Sequence, residues 1–598
     1  MNFDQLAYDM CRHYVTDCRG QISKGQIDTI LGWIRSRSLE KLATCSEQFP
    51  DTEYHCLEKV RFERQVEAFF KKNSSFSNAD VCEEAAEKAF RKGELLCKLT
   101  NKRLDHYLTN ENRLPPALAL DITRVREIIF DVLGDFDEFL ANLPMFVRFT
   151  AGATATRSRR NALPYLKVGK RHISCTDPAR PYISALAKFF GYGRVTFRRT
   201  ENNRVVTVPK NYKTNRTIAC EPEGNLILQL AFDTYIKRCL LKIGIDLSKQ
   251  SRNQELARLG SINDDLVTVD LSMASDTLSY NTVFFFFFFK WAKFLSYVRS
   301  PCGVGFGDTV KYEKFSSMGN GSTFGIETLI FGAISKVASP DLFSVYGDDI
   351  IIRSTGYDRL STLLNFFGFK LNTQKSFLTG PFRESCGADW YEGTDITPFY
   401  MRVQNPEKLE LCHIINGLSS VSTFHGNLWH FMHGLIRDHD LPLVPFNGSS
   451  ISGVWVTPYY VYAKKLLSWT HKGRKTFIPR YKAFIPKART RNVFNSRTLF
   501  LWHLDAYRGG KEILNQTQEE RKEQADSVTS RPLSSRVSDP NFLGEIKDAT
   551  IRTSVPTLTH GYKRKWVCWH MPSTGTPDHL FWWSDFITRS DAGSKGMD

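Results

Sequence analysis

Apolar positions change their spacing along the chain, and the changes mark out units. From residue 1 to about 148 they recur mostly at helical intervals. Ser77 and Asp80 stand at capping-box spacing ahead of a Glu-, Ala-, Lys- and Leu-rich stretch ending near Leu108, which predicts one long helix. Thr109 to Pro116 breaks that pattern. From Phe149 to about Val208 small residues and turn formers take over, with Arg157, Arg159 and Arg160 among them and Lys167, Lys170 and Arg171 following. Between 266 and about 375 short apolar runs alternate with amphipathic stretches, the texture of an α/β core. There Ile326, Ile330, Ala333 and Val337 repeat at helical spacing, as do Leu360, Leu363, Leu364 and Phe367, with Gly368 as a C-cap. The Phe284 to Phe289 run is read as part of a helix packed behind the strand that ends at Asp270.

Composition narrows the classes. The 598 residues include 42% hydrophobic and 13% aromatic side chains, enough to bury a core, so wholesale disorder is excluded. Lys and Arg number 80 against 63 Asp and Glu, a net +17, which points to a polyanionic partner. Much of the excess is local. From Leu441 to Leu504 there is no acid and there are eleven Lys or Arg, from Lys464 and Lys465 to Arg491 and Arg497, interleaved with Tyr462, Trp469, Phe477, Tyr481 and Phe484. A solvated face mixes signs, so this stretch is expected to face phosphates. The longest apolar run is far shorter than the roughly 20 residues a membrane span needs, and the N-terminus lacks a signal-peptide core. A soluble protein without a membrane partner is expected. The 13 cysteines form no Cys-x-x-Cys pair, which argues against zinc and a disulfide scaffold; Cys412-His413 is read as a core or surface pair rather than as metal ligands. A polar stretch from Asn515 to Asn541 reads as a linker, and the last 57 residues, with Lys563, Arg564, Lys565 and several Trp, leave a docked subdomain and a nucleic-acid contact both open.

The candidate chemistry lies in carboxylates. In Tyr346-Gly347-Asp348-Asp349 two apolar strands meet at a Gly-containing turn, so a hairpin carries two adjacent acids to its tip. Adjacent acids repel and cost stability unless a cation neutralises them. Leu266-Val267-Thr268-Val269 is a β-rich run ending in Asp270, and Asp276 follows. If the two strands are sheet neighbours, Asp270 meets the hairpin tip, the acid set that two-metal phosphoryl transfer requires. Asp276 would then accept a hydrogen bond from a ribose hydroxyl, or simply cap a helix. Three other segments fit around them. Ser316 to Thr323, with Ser317, Gly319, Asn320 and Thr323, is a Gly-rich loop entering a helix, able to seat a sugar-phosphate. Lys210, Lys213 and Arg216 lie in one short basic loop, fit to clamp a triphosphate or to be mere surface. Phe369 to Asn372 reads as a strand leading to Lys375, a candidate proton donor to pyrophosphate.

In this order and spacing the elements resemble the palm motifs of RNA-dependent RNA polymerases. The chain is most similar to the catalytic (beta) subunit of the replicases of single-stranded RNA bacteriophages, the Qβ-like levivirus group. Lys210 to Arg216, Asp270 to Asp276, Ser316 to Thr323, Tyr346 to Asp349, Lys375, Gly380 to Gly387 and Thr397 to Tyr400 carry the match, which covers about Phe149 to Arg402. The resemblance implies that Asp270, Asp348 and Asp349 hold two Mg²⁺ ions, or Mn²⁺. It implies that Lys213 and Arg216 grip the incoming nucleotide and that Asp276 with the Ser317 to Thr323 loop selects ribose. Glu327 departs from the pattern, because many such enzymes carry Asn there. Implied too are a right-hand architecture, with a palm built on a βαββαβ-like antiparallel sheet and helical fingers and thumb, and RNA copying without a primer. So are RNA template and product, NTPs, elongation factors Tu and Ts and a small-subunit ribosomal protein as partners, in the cytoplasm of an infected bacterium. The expected units are 1–148 helical support of the fingers, 149–265 fingers, 266–402 palm, 403–514 thumb, 515–541 linker and 542–598 C-terminal region. A reverse transcriptase and a non-catalytic RNA-binding or packaging protein are the competing readings.

Overall fold

Three apolar runs pair into one antiparallel sheet in the order Leu266–Val269, Asp349–Arg353, Phe343–Tyr346. In the computed structural model, which describes residues 1–49, 56–150, 152–158, 172–189, 196–423, 425–446, 449–457, 467–472, 476–486, 488–492, 552–556 and 562–568, this sheet sits between two helices. Ile350 and Ile352 of its central strand enter the main core with Val267, Val269, Phe343 and Val345. Ile351, on the other face, packs with Ala257 and Leu266 against the Ser251–Asn263 helix. Both faces are covered, which is why the run is continuously apolar rather than alternating. All three isoleucines are fully buried, each stabilising the sheet by about 1.5–3 kcal/mol.

The fold is mixed α and β around two cores. The main core joins the Pro116–Leu133, Glu223–Leu240, Thr323–Ala338 and Tyr357–Phe366 helices to the sheet. The second joins the Phe3–Asp17, Lys24–Arg35 and Leu57–Phe70 helices to Glu407–Leu418 and Asn427–Asp438. Packing therefore divides the first 148 residues, and the N-terminal helices share their core with residues 401–456. Cys412 is buried in that second core.

The predicted long helix is Ala79–Thr109, about 46 Å at 1.5 Å per residue. Its cap is Asn78, not Ser77: the Asn78 side chain accepts from the N–H groups of Asp80 and Val81. This helix runs past the segments that carry Tyr212 and Asp276. Cys82 Sγ donates to the Tyr212 carbonyl, Cys97 Sγ to that of Asp276, and a Cβ added at Gly93 would come within 2.9 Å of the Asp276 carbonyl.

The Phe284 to Phe289 run is not one helix. It ends the Tyr280–Phe286 helix and opens the Phe289–Val298 helix. Six successive phenylalanines on a 3.6-residue period cannot all face one core. The break lets Phe285, Phe286 and Phe287 bury, while Phe288 and Phe289 stay exposed. Its neighbours are the Ala79–Thr109 and Pro116–Leu133 helices.

In the basic segment, Thr476–Pro486 pairs with Leu467–Lys472 on one side and with Tyr562–Cys568 on the other. The C-terminal region thus adds a strand to this sheet, with Lys563, Arg564 and Lys565 exposed. Tyr481 and Phe484 are buried, so these two aromatics serve packing rather than stacking on bases, while Lys482 between them is exposed. Lys464, Lys465, Arg474, Lys475, Arg497 and Tyr462, the 515–541 stretch, and Arg159, Arg160, Lys167, Lys170 and Arg171 lie outside the described residues. Among the described residues no helix is long and apolar enough to cross a membrane.

Candidate active site

The turn of the hairpin consists of two residues, Gly347 and Asp348, between the paired Tyr346 and Asp349. Gly347 has φ +65°, which the first position of such a tight turn requires. A Cβ there would also come within 2.4 Å of the Phe324 ring. The Thr323–Ala338 helix buttresses the turn from below: Thr328 Oγ1 accepts from Gly347 N–H at 3.2 Å, and Phe324 meets the Tyr346 ring edge-on.

The register brings the third acid in. Val269 pairs with Ile350 in antiparallel sense, so one step further the backbone sets Asp270 opposite Asp349, with Asp348 adjacent. A second segment clamps Asp270. Lys370–Leu371 pairs with Leu271–Ser272, Asn372 N–H donates to the Asp270 carbonyl at 2.9 Å, and Asn372 Nδ2 donates to Asp270 Oδ2 at 2.8 Å. Lys375 Nζ lies 3.8 Å from the same oxygen and 4.0 Å from Glu384. Asn253 holds the other side. It donates to the Asp349 carbonyl at 3.1 Å and to Ser385 Oγ, and accepts from Ser344 Oγ at 2.6 Å.

Charge follows from this crowding. Burial, then the neighbouring Asp348, pushes Asp349 up to about 6. Asp270 is also raised, by burial first; Lys375 works against the rise and Asp348 adds to it. Burial opposes the Lys375 ammonium, but Glu384, Asp270, Asp349 and Asp348 together outweigh it and leave Lys375 raised. These are carboxylates that a cation would relieve.

Asp276 does not cap a helix. It lies inside the short Ala274–Thr277 helix, whose cap position is Met273, and its Oδ1 accepts from Lys314 Nζ at 2.8 Å. Lys314 is buried at 1% side-chain exposure and also lies 3.4 Å from Glu94. Glu327 lies beneath, 3% exposed, and burial pushes its carboxyl up to about 8, a rise that a Ser275 hydrogen bond opposes and Asp348 and Asp276 extend.

The basic loop joins strands Asn202–Pro209 and Asn215–Cys220 through an Asn211 side chain that accepts from Lys213 and Thr214 N–H. Lys210 is depressed by burial and then by Arg216 and Lys375, so these three cations gather by the acids. Lys213 is placed elsewhere, in an ion pair with Glu40 at 2.7 Å.

In the Gly-rich loop, Ser317, Asn320 and Thr323 are buried and hold the loop itself. Asn320 Oδ1 accepts from Ser322 N–H at 2.9 Å, and Thr323 Oγ1 donates to the Ser317 carbonyl at 3.0 Å. Gly319, at φ +103°, permits close approach to protein rather than to a ligand: its Cβ would lie 2.4 Å from the Ala219 carbonyl.

Sequence reasoning missed Lys314, Glu94, Asn253 and Asn372. Each sits in an ordinary polar setting in the chain and becomes notable only through a partner distant in sequence. Glu384 had a signal, its place within the Gly380 to Gly387 segment.

As donors, the three carboxylates suit a hard cation such as Mg²⁺ or Mn²⁺, and the backbone sets them at one sheet end, with the Cys386 thiol hydrogen-bonded to Asp349. Among the described residues, however, no three acidic, His or Cys side chains stand as a closed metal cluster; the Asp270 carboxylate is engaged by Asn372. The acids thus fit such cations in donor chemistry and in backbone placement.

Comparison of the whole sequence with known proteins gives its family. The chain belongs to the family described as RNA replicase, beta-chain, whose model matches residues 15–537. It is 38% identical over 362 residues to the RNA-directed RNA polymerase subunit beta of Qbeta virus (strain MX1), covering 59% of this chain and 61% of that protein. To the RNA-directed RNA polymerase beta chain of Escherichia phage MS2 it is 36% identical over 311 residues, 50% of this chain and 56% of that one. These matches span about three fifths or less of the relatives' lengths. Among solved structures, the BmCPV RNA-dependent RNA polymerase at elongation state aligns with a TM-score of 0.34 at 13% identity, covering 64% of this chain and 36% of that chain.

Proposed function

We propose that this chain synthesises RNA on an RNA template by nucleotidyl transfer. The observation that carries the reading is the pairing of Val269 with Ile350 beside the Tyr346–Asp349 hairpin, which brings Asp270 to the sheet end that carries Asp348 and Asp349. Asp270, Asp348 and Asp349 would hold two Mg²⁺ ions, or Mn²⁺, whose chemistry when bound is to activate the attacking hydroxyl and neutralise the leaving pyrophosphate. Lys210 and Arg216 bind the triphosphate as NTP enters, and Lys213 joins them on leaving Glu40. Lys375, kept charged by its acidic neighbours, gives a proton to the departing pyrophosphate. Asp276, fixed through one oxygen by Lys314, offers its other oxygen to a ribose hydroxyl. Ser317, Gly319, Asn320 and Thr323 shape the wall beside the ribose.

The fingers, palm and thumb reading, initiation without a primer, the bacterial cytoplasm as its place of work, and elongation factors Tu and Ts with a small-subunit ribosomal protein as partners rest on the family resemblance.

The test is Asp348→Asn, assayed with labelled NTPs on an RNA template, with and without host extract. Synthesis is expected to fall by about 100-fold or more with RNA affinity kept, because a lost metal ligand hardly touches phosphate contacts. Undiminished incorporation overturns the reading.

A further inference from the structure

The end of the Leu57–Phe70 helix is stitched to two parts of the site. Gln65 exchanges hydrogen bonds with the Phe399 backbone, at 3.2 and 3.0 Å. Met401 N–H donates to the Ala68 carbonyl at 3.0 Å, and Tyr212 N–H, from the basic loop, to that of Lys71 at 3.4 Å. Ser74 Oγ donates to the Val403 carbonyl at 2.7 Å. These bonds fix Lys72, just past the helix, between the 399–403 segment and the loop.

The Lys72 ammonium lies 3.5 Å from the centroid of the Tyr400 ring. Arg402 and Lys375 face it as like charges, Glu384 and Asp389 as opposite ones. Both acids are already engaged: Arg64 lies 3.3 Å from Glu384 and 2.6 Å from Asp389. Lys375 is shared with Asp270; without it, Arg64, Lys72 and Arg402 outnumber Glu384 and Asp389 by one, and Lys72 and Arg402 form no ion pair among the described residues. Burial, then Arg402, pulls Lys72 down to about 8. A ring face holds a cation without neutralising it, and unpaired cations beside one another cost stability unless an anion joins them.

We propose that Lys72 and Arg402, with Lys72 held on the Tyr400 face, form a phosphate-binding subsite beside the acidic cluster, separate from the Lys210 to Arg216 loop. It takes a phosphate of the nucleotide or of the RNA backbone; this choice of ligand rests on the proposed function. Lys375 links the subsite to the reacting end of the sheet, since it lies near both Asp270 and Glu384.

The experiment compares Lys72→Met and Lys72→Arg in the full-length chain. Pyrophosphate binding and RNA binding over a salt series are measured in the Asp348→Asn background, which removes any dependence on turnover. Weaker pyrophosphate binding in Lys72→Met, by about tenfold for one lost charge-assisted contact, supports the subsite with the nucleotide as source. RNA affinity that falls, with a salt slope shallower by about one, supports it with the backbone as source. In either case Lys72→Arg restores most of the loss. Unchanged binding of both ligands overturns the subsite, and so does an equal loss in the Arg variant, which would mark packing. A wild-type chain that makes no RNA would count against the proposed function alone, since the binding measurements still decide the subsite.

Discussion

Lys314 Nζ lies 2.8 Å from Asp276 Oδ1, and the lysine is 1% exposed. Its ammonium also stands over the Phe90 ring at 4.2 Å. A buried cation in this setting fixes the acid's position but depends on it for neutralisation. Asp276 and Glu94 raise Lys314 against the pull of burial.

Removing that cation leaves Asp276 and Glu94 without the buried charge that both approach. Lys314→Met is expected to destabilise the chain by about 3–5 kcal/mol. Denaturant unfolding checks this, and pairing the variant with Glu94→Gln should recover part of the loss. A cost near zero would mean that Asp276 is held by its backbone alone.

Glu327 carries a pH signature. Its folded value is near 8 against an ordinary 4.5, so between those limits the folded chain binds a proton that the unfolded chain has lost. Stability contributed by this group therefore falls as the pH rises through that window. Glu327→Gln should melt above the wild type at about pH 9 and close to it below about pH 4.5, in the absence of divalent cations. Curves that run parallel across the range would show that Glu327 is ionised in the fold.

A reverse transcriptase also carries paired acids on a hairpin, but usually places a bulky aromatic where Asp276 stands here. Side-by-side incorporation of NTPs and dNTPs on one RNA template is expected to favour NTPs. Preference for dNTPs would move the chain to the competing class.

The acid-free basic stretch has a separate readout. Charge-neutral substitutions of Lys482 and of its neighbours between Lys464 and Arg497 should weaken RNA binding and reduce its salt slope by about one per lost phosphate contact. An unchanged slope would make the stretch an ordinary solvated face. Synthesis defects without any change in binding would assign it to another step.

Much of the sheet was legible because its signals are local. Ile350 to Ile352 are apolar on both faces, Gly347 suits a positive-φ turn, and Asp270 ends a β-rich run, so strand, turn and acid could each be read from neighbouring residues. The cap of the Ala79–Thr109 helix moved by one residue because Ser77 and Asn78 are both good caps and only side-chain geometry chooses between them. The phenylalanine run misled because its length says nothing about where the chain will bend to bury three of the rings.

By itself the sequence determined which residues could do chemistry: three acids on two candidate strands, a basic loop, a glycine-rich turn and a net charge of +17. Only the tertiary structure decided which of them meet. Register, a property of two strands together, set Asp270 across from Asp349. Packing of the Ala79–Thr109 helix beside Lys314 gave the lysine that holds Asp276 a second acid, Glu94, and the pairing of Lys213 with Glu40 drew one predicted nucleotide contact aside. Such choices depend on free energies shared between distant segments, chiefly burial and the pairing of charge that burial demands. No window of neighbouring residues contains them.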